Sequence, residues 1–190
     1  VTGASGSVGT IVIEILSKRL GFDVIAVSGK TPQKDATLQQ LGATQILGRD
    51  ALTATTRPIL KSKFAHAIDT VGGSPLSELC KQIHPGGTIV CCGNAAGSDV
   101  PNMTVLPFIL RGIQLLGVDS VQISIEEKRA IWNKLANEWN CPITEQHCTQ
   151  TIGRHELATY LPAFLRGESS GKIVLDHSRT STTTKPSSSL

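Results

Sequence analysis

Apolar positions in this chain come in short runs, spaced alternately for helix and for strand, with glycine, proline and polar clusters between them. Ile11, Val12, Ile13, Ile15 and Leu16 predict a helix that ends near Arg19 and Leu20, where Gly21 supplies a left-handed cap. Phe22 to Val27 reads as an apolar strand, residues 34–41 as a short helix stopped by Gly42, and residues 44–47 as the next strand. Further strands are predicted over 64–68, 88–92 and 113–118, with a helix over 75–83 between the first two. Ser124 and Glu127 form a capping box that opens an amphipathic helix through Trp139, with Ile131, Leu135 and Trp139 on one stripe and Trp132 at its border. Both tryptophans read as core or interface residues. A strand over 149–152, a helix over 155–165 and a strand over 172–175 follow. Strand and helix alternate without a hairpin signal, which points to an α/β fold: a doubly wound parallel sheet with helices on both faces.

Composition narrows the function classes. With 190 residues, 39% hydrophobic and 17% charged, the chain can bury one sizeable core, and residues 1–177 are expected to form one domain. Net charge is only +3 and aromatics are 4%, with no basic run or interleaved aromatics, so no nucleic-acid partner is expected. No apolar run approaches the ~20 residues that span a bilayer, and no signal sequence opens the chain. A cytoplasmic protein without a membrane partner is the expectation. Cys80, Cys91, Cys92, Cys141 and Cys148 contain no C-x-x-C pair. Cys91 and Cys92 read as small buried thiols of a strand rather than metal ligands, and a reducing compartment fits. Residues 178–190 are Ser/Thr-rich and read as a disordered tail. Only Val1 and Thr2 precede the first glycine, where a strand usually has about five residues, so the chain reads as N-terminally truncated.

Chemistry enters at Val1-Thr2-Gly3-Ala4-Ser5-Gly6-Ser7-Val8-Gly9. The three glycines allow a tight turn from a strand end into a helix whose free N–H groups and partial positive charge suit a dinucleotide's pyrophosphate. Glycines that merely pack strand against helix are the other reading of this motif. About 20 residues on, where an NAD site carries an acid for the ribose hydroxyls, stand Ser28, Gly29 and Lys30. A hydroxyl and a cation suit a 2′-phosphate, so NADP is the expected coenzyme, against a merely solvated Lys30. Arg49 at the next strand end covers the adenine, reaches the same phosphate, or is a surface arginine. His66 alternates with apolar residues and reads as an accommodated strand histidine.

The order of these motifs resembles a known family. With Leu41-Gly42-Ala43, Ala67-Ile68-Asp69-Thr70-Val71-Gly72, Pro107-Phe108-Ile109-Leu110-Arg111-Gly112, Gly117-Val118-Asp119-Ser120-Val121 and Gly171-Lys172-Ile173-Val174, they are similar to the zinc-free quinone-oxidoreductase branch of the medium-chain dehydrogenases/reductases. Within that branch the chain looks most like acrylyl-CoA reductases. The resemblance implies a Rossmann-type domain with NADPH on Gly6, Ser7, Val8 and Gly9, and with Ser28, Gly29, Lys30 and Arg49 around the adenosine phosphate. It places Asn94, Ile109 and Ser120 on the nicotinamide side. It also implies C-terminal elements that return to an N-terminal catalytic domain outside this sequence. Lys30 stands for the family's arginine and keeps its charge, and two departures stand out: Ser7 replaces a glycine, and the N-terminal catalytic barrel is absent from this sequence.

By the same resemblance the full protein would transfer hydride to an enoyl thioester such as acryloyl-CoA, or to a quinone, and this part alone would bind coenzyme with little turnover. Homodimerisation along strand 113–118 is a further implication. A short-chain or epimerase-like reductase would use a Tyr-x-x-x-Lys pair, but four residues after Tyr160, the only tyrosine, stands Phe164. A non-catalytic NADP-binding module is the other alternative.

Overall fold

The structure is a computed structural model that describes residues 1–166, 168 and 171–179. Val1 and Thr2 lie in the middle of a parallel sheet, between β1 (Val24–Val27) and β3 (Ala67–Asp69). Val27 N–H donates to Val1 O at 2.8 Å, and Thr2 N–H to Ile68 O at 3.0 Å. β1 pairs with β2 (Ala43–Leu47), while β3 pairs with β4 (Thr88–Cys91) and β4 with β5 (Gln114–Gly117), all parallel. The sheet therefore runs β2, β1, Val1–Thr2, β3, β4, β5, and strand order reverses at Val1–Thr2. This is the doubly wound, Rossmann-type arrangement expected from the alternation of elements, and its crevice opens at the reversal, beyond the carboxyl ends of the strands.

Crossover helices are α1 (Ser7–Glu14), which continues as a π-helical turn over Ile15–Arg19, α2 (Asp35–Gln40), α3 (Gly73–Cys80) and α4 (Leu106–Arg111). Apolar packing falls into two clusters. Ile13, Leu38 and Leu41 from the helices close on Ala4, Val24, Ala26 and Ala43. Leu76, Leu79 and Ile83 close on Phe64, Ile89 and Ile113. Beyond the main sheet come α5 (Ile125–Ala136), α6 (Pro142–Cys148), β6 (Thr149–Gly153), α7 (Leu157–Leu165) and β7 (Lys172–Asp176), with β6 and β7 a separate parallel pair.

Several boundaries differ from expectation for local physical reasons. Phe22 is outside β1 because Gly21 turns at φ +72° and Phe22 N–H closes the helix end on Leu16 O. Phe64 is not part of β3; it pairs with Ile83 in a single bridge. α5 stops at Ala136, short of Trp139, because Asn137 leaves helical geometry and its side-chain amide bonds Asn133 O. α5 buries none of its residues, and Trp132 is exposed rather than in the core. α4 and α6 were not expected. Of the expected tail, Ser178 belongs with His177 to the turn after β7 and Arg179 N–H closes it on Asp176 O, while 180–190 lies outside the described residues.

Candidate functional site

The glycine turn seats α1 directly against the sheet. A β-carbon at Gly9 would stand 2.4 Å from Gly3 O and 2.8 Å from Ala4 Cα, so only glycine lets the helix come this close. Gly6 is the N-cap and no side chain caps the helix. The first helical bond is Thr10 N–H to Gly6 O, 3.1 Å, leaving the amides of Ser7, Val8 and Gly9 at the helix start. Ser7 and Val8 are exposed there. Such a helix end attracts an anion.

Beside it, the carboxyl ends of β1 and β2 gather positive charge. Lys30 is held below the usual lysine range, first by burial and then by Lys34 and Arg49, with Glu168 opposing. The guanidinium of Arg49, at the start of the 3-10 turn Arg49–Leu52, lies against Gly29. Lys34 was missed in the sequence, although its position one helical turn after Lys30 was a usable signal; its N–H bonds Lys30 O at 3.0 Å. Ser28 is only 2% exposed. Its hydroxyl lies 3.0 Å from Ser5 Oγ and accepts the Lys30 N–H at 3.1 Å, so it shapes the strand end from within. Three clustered cations next to an open helix start make a donor set for a ligand with several phosphates.

Across the reversal point, Asp69 is fully buried and was not singled out from the sequence. Its carboxylate accepts the Thr2 hydroxyl at 2.6 Å and the Gly72 N–H at 2.8 Å, which pins the loop after β3 to the chain start. Thr70 strengthens this tie, donating its N–H to Thr2 Oγ1 at 3.1 Å and its hydroxyl to Thr2 O at 3.0 Å. The detectable signal was one acid closing an otherwise apolar strand.

An open cleft of about 630 Å³ lies at the carboxyl ends of β4 and β5, lined by Cys91, Cys92, Gly93, Asn94, Gly117, Val118 and Asp119. Of the three residues expected on this side, Asn94 lines it, whereas Ile109 and Ser120 do not. Ile109 projects from α4 and is 68% exposed. α4 is held in place by Arg111, whose guanidinium donates to Lys81 O at 2.8 Å, to Ile83 O at 3.1 Å and to Leu60 O. Cys92, expected to be buried, is exposed in the cleft because the strand has ended at Cys91. Burial, followed by the Asp69 charge, pushes the Cys91 thiol up to about 11 and raises that of Cys92. Among the described residues no three His, Cys, Asp or Glu side chains group as a metal ion would require. His66 is exposed, its Nδ1 accepting the Thr88 N–H.

Comparison with known proteins identifies the family of this fold. The family model for zinc-binding dehydrogenases matches residues 7–137, from the start of α1 to just beyond α5. Acrylyl-CoA reductase AcuI of Ruegeria pomeroyi is 35% identical over 181 residues, covering 93% of this chain and 52% of that protein. The yhdH oxidoreductase of Salmonella enterica, solved in complex with NADP, superposes with a TM-score of 0.85 at 34% identity, over 92% of this chain and 52% of its own. Bacillus subtilis yhfP, solved with NAD bound, gives 0.83 at 32% identity, over 92% and 53%. The chain spans about half the length of these relatives. With a match over more than half its residues, on a sheet wound in this order, the chain belongs to the zinc-binding dehydrogenase family, among its quinone-oxidoreductase and acrylyl-CoA-reductase relatives.

Proposed function

We propose that this chain binds NADP(H) and forms the coenzyme half of a reductase acting on an activated double bond, a 2-enoyl-CoA such as acryloyl-CoA, or on a quinone. The observation that carries the reading is the cluster of Lys30, Lys34 and Arg49 at the ends of β1 and β2, beside the uncapped start of α1. One relative was solved with NADP and another with NAD, so the coenzyme choice here rests on the chain's own residues. An NAD-selective site would place a carboxylate where Ser28, Gly29 and Lys30 stand.

When bound, the nicotinamide ring supplies the hydride. The chain's residues bind and orient. The amides of Ser7, Val8 and Gly9 face the pyrophosphate, and Lys30 with Arg49 neutralises the 2′-phosphate. Ser28 sets the backbone turn that presents Lys30. Asn94 in the cleft by β4 and β5 is the residue in place to orient the carboxamide end. A short-chain mechanism finds no support at Tyr160, which is half-buried on α7 and bonded by Gln150 at 2.7 Å.

The same proposal covers partners. β5 is exposed at all four positions and carries Leu115 and Leu116 on the sheet edge, with Val118 just beyond, which favours a homodimer by edge pairing. No nucleic-acid partner is proposed. Among the described residues no helix is long and apolar enough to cross a membrane.

Fluorescence titration with NADPH and NADH tests the coenzyme reading. At least about tenfold tighter binding of NADPH is expected from a charge-assisted phosphate contact. Equal affinities would remove the proposal.

A further inference from the structure

Ser7, which departs from the family's glycine, fastens the start of α1 to the C-terminal strand pair. We propose that this contact is a latch that coenzyme binding opens, so that the glycine turn and β7 are energetically coupled. The inference rests on the coenzyme site proposed above.

The Ser7 hydroxyl donates to Gly171 O at 2.5 Å, and Gly171 N–H donates to Ser5 O at 3.0 Å. Gly6 and Gly171 pair as a parallel bridge, so the Gly171 carbonyl lies across the uncapped helix start. Gly171 is wedged: its φ is +69°, and a β-carbon there would stand 2.0 Å from Cys148 O at the end of α6. β7 begins at the next residue and pairs with β6 along its whole length.

The far end of the same segment grips α1 two turns further on. The buried Glu14 carboxylate accepts Ile143 N–H at 3.0 Å and both the N–H and the hydroxyl of Thr144 at 2.7 Å. Thr144 Oγ1 also reaches Thr10 O. α6 and the start of β7 are therefore both tied to the coenzyme helix, at Glu14 through buried groups and at Ser7 through an exposed hydrogen bond.

A serine hydroxyl has one proton to donate. While Ser7 is bonded to Gly171 O that proton is committed, and a phosphate oxygen arriving at the helix start competes for it. Coenzyme binding then weakens the hold on Gly171, and the latch in turn weakens coenzyme binding by the same factor.

Hydrogen exchange over Gly171–Asp176, with and without NADPH, decides the matter for the protein and its Ser7→Ala and Ser7→Thr variants. Without coenzyme, Ser7→Ala is expected to exchange about fivefold faster over this segment, the effect of one ordinary hydrogen bond, and Ser7→Thr to match the wild type. NADPH should speed exchange there in the wild type and add nothing in Ser7→Ala. Unchanged exchange in Ser7→Ala without coenzyme would overturn the latch. Bound NADPH that leaves wild-type exchange unaltered would overturn the coupling. A titration showing no NADPH binding refutes the coenzyme reading and the coupling together, while the coenzyme-free comparison still decides the latch.

Discussion

Arg49 lies flat on Gly29: a β-carbon at residue 29 would stand 2.0 Å from Arg49 Nε and 2.4 Å from Cζ. The bare backbone at the end of β1 is thus what lets the guanidinium from the end of β2 settle beside Lys30. Gly29→Ala is expected to swing Arg49 aside, since its side chain is flexible, without disturbing the sheet. NADPH affinity should fall about tenfold and NADH affinity by less than about twofold, the loss of one charged hydrogen bond to phosphate. Paired titrations of the variant check this, and an equal loss for both coenzymes would count against Arg49 as a phosphate ligand.

The pH dependence of binding follows from Lys30. Burial, then Lys34 and Arg49, hold its ammonium below the usual range. The protonated form binds phosphate, and a bound dianion raises the Lys30 pKa, so affinity is full below the free-state pKa and falls as pH rises through it. The ratio of NADPH to NADH affinity should therefore decline before the ordinary lysine value of about 10.4 is reached. In Lys30→Arg, whose charge persists, the decline should move to higher pH. A ratio that is constant through that range in both proteins would contradict the assignment.

Stability depends on Glu14 far more than a helix-borne acid would suggest. Its fully buried carboxylate holds the first two amides of the α6 region and the Thr144 hydroxyl. Glu14→Gln replaces one acceptor by a donor facing N–H groups, at a cost of about 2–3 kcal/mol. For a chain of this size that lowers Tm by about 4–12 °C. Thermal unfolding followed by circular dichroism measures it, and a shift below about 2 °C would mean that α6 is held by other contacts.

What the sequence disclosed and what it hid have physical causes. The doubly wound sheet was legible because its strands are short apolar runs closed by glycine or a polar residue, as at Val24–Val27 before Ser28. The glycine turn and Ser28–Lys30 were legible because they are local. α4 and α6 were not, being six and seven residues long with proline in the first turn and too few positions to show a period. Arg49 joined Lys30 and Lys34 in the cation cluster only because β1 and β2 end side by side. Glu14 interrupts the apolar run Ile11–Leu16, a visible oddity, but its partners lie about 130 residues away. Cys92 was taken as a strand residue because the apolar pattern continues past the last ladder pair, Cys91 with Gly117.

A crystal structure of the protein grown with NADPH reads the coenzyme position directly. Density is expected with the pyrophosphate over the amides of Ser7, Val8 and Gly9, and with the 2′-phosphate within hydrogen-bonding distance of Lys30 and Arg49. An empty crevice at saturating NADPH, or coenzyme bound with its 2′-phosphate away from both cations, would contradict it.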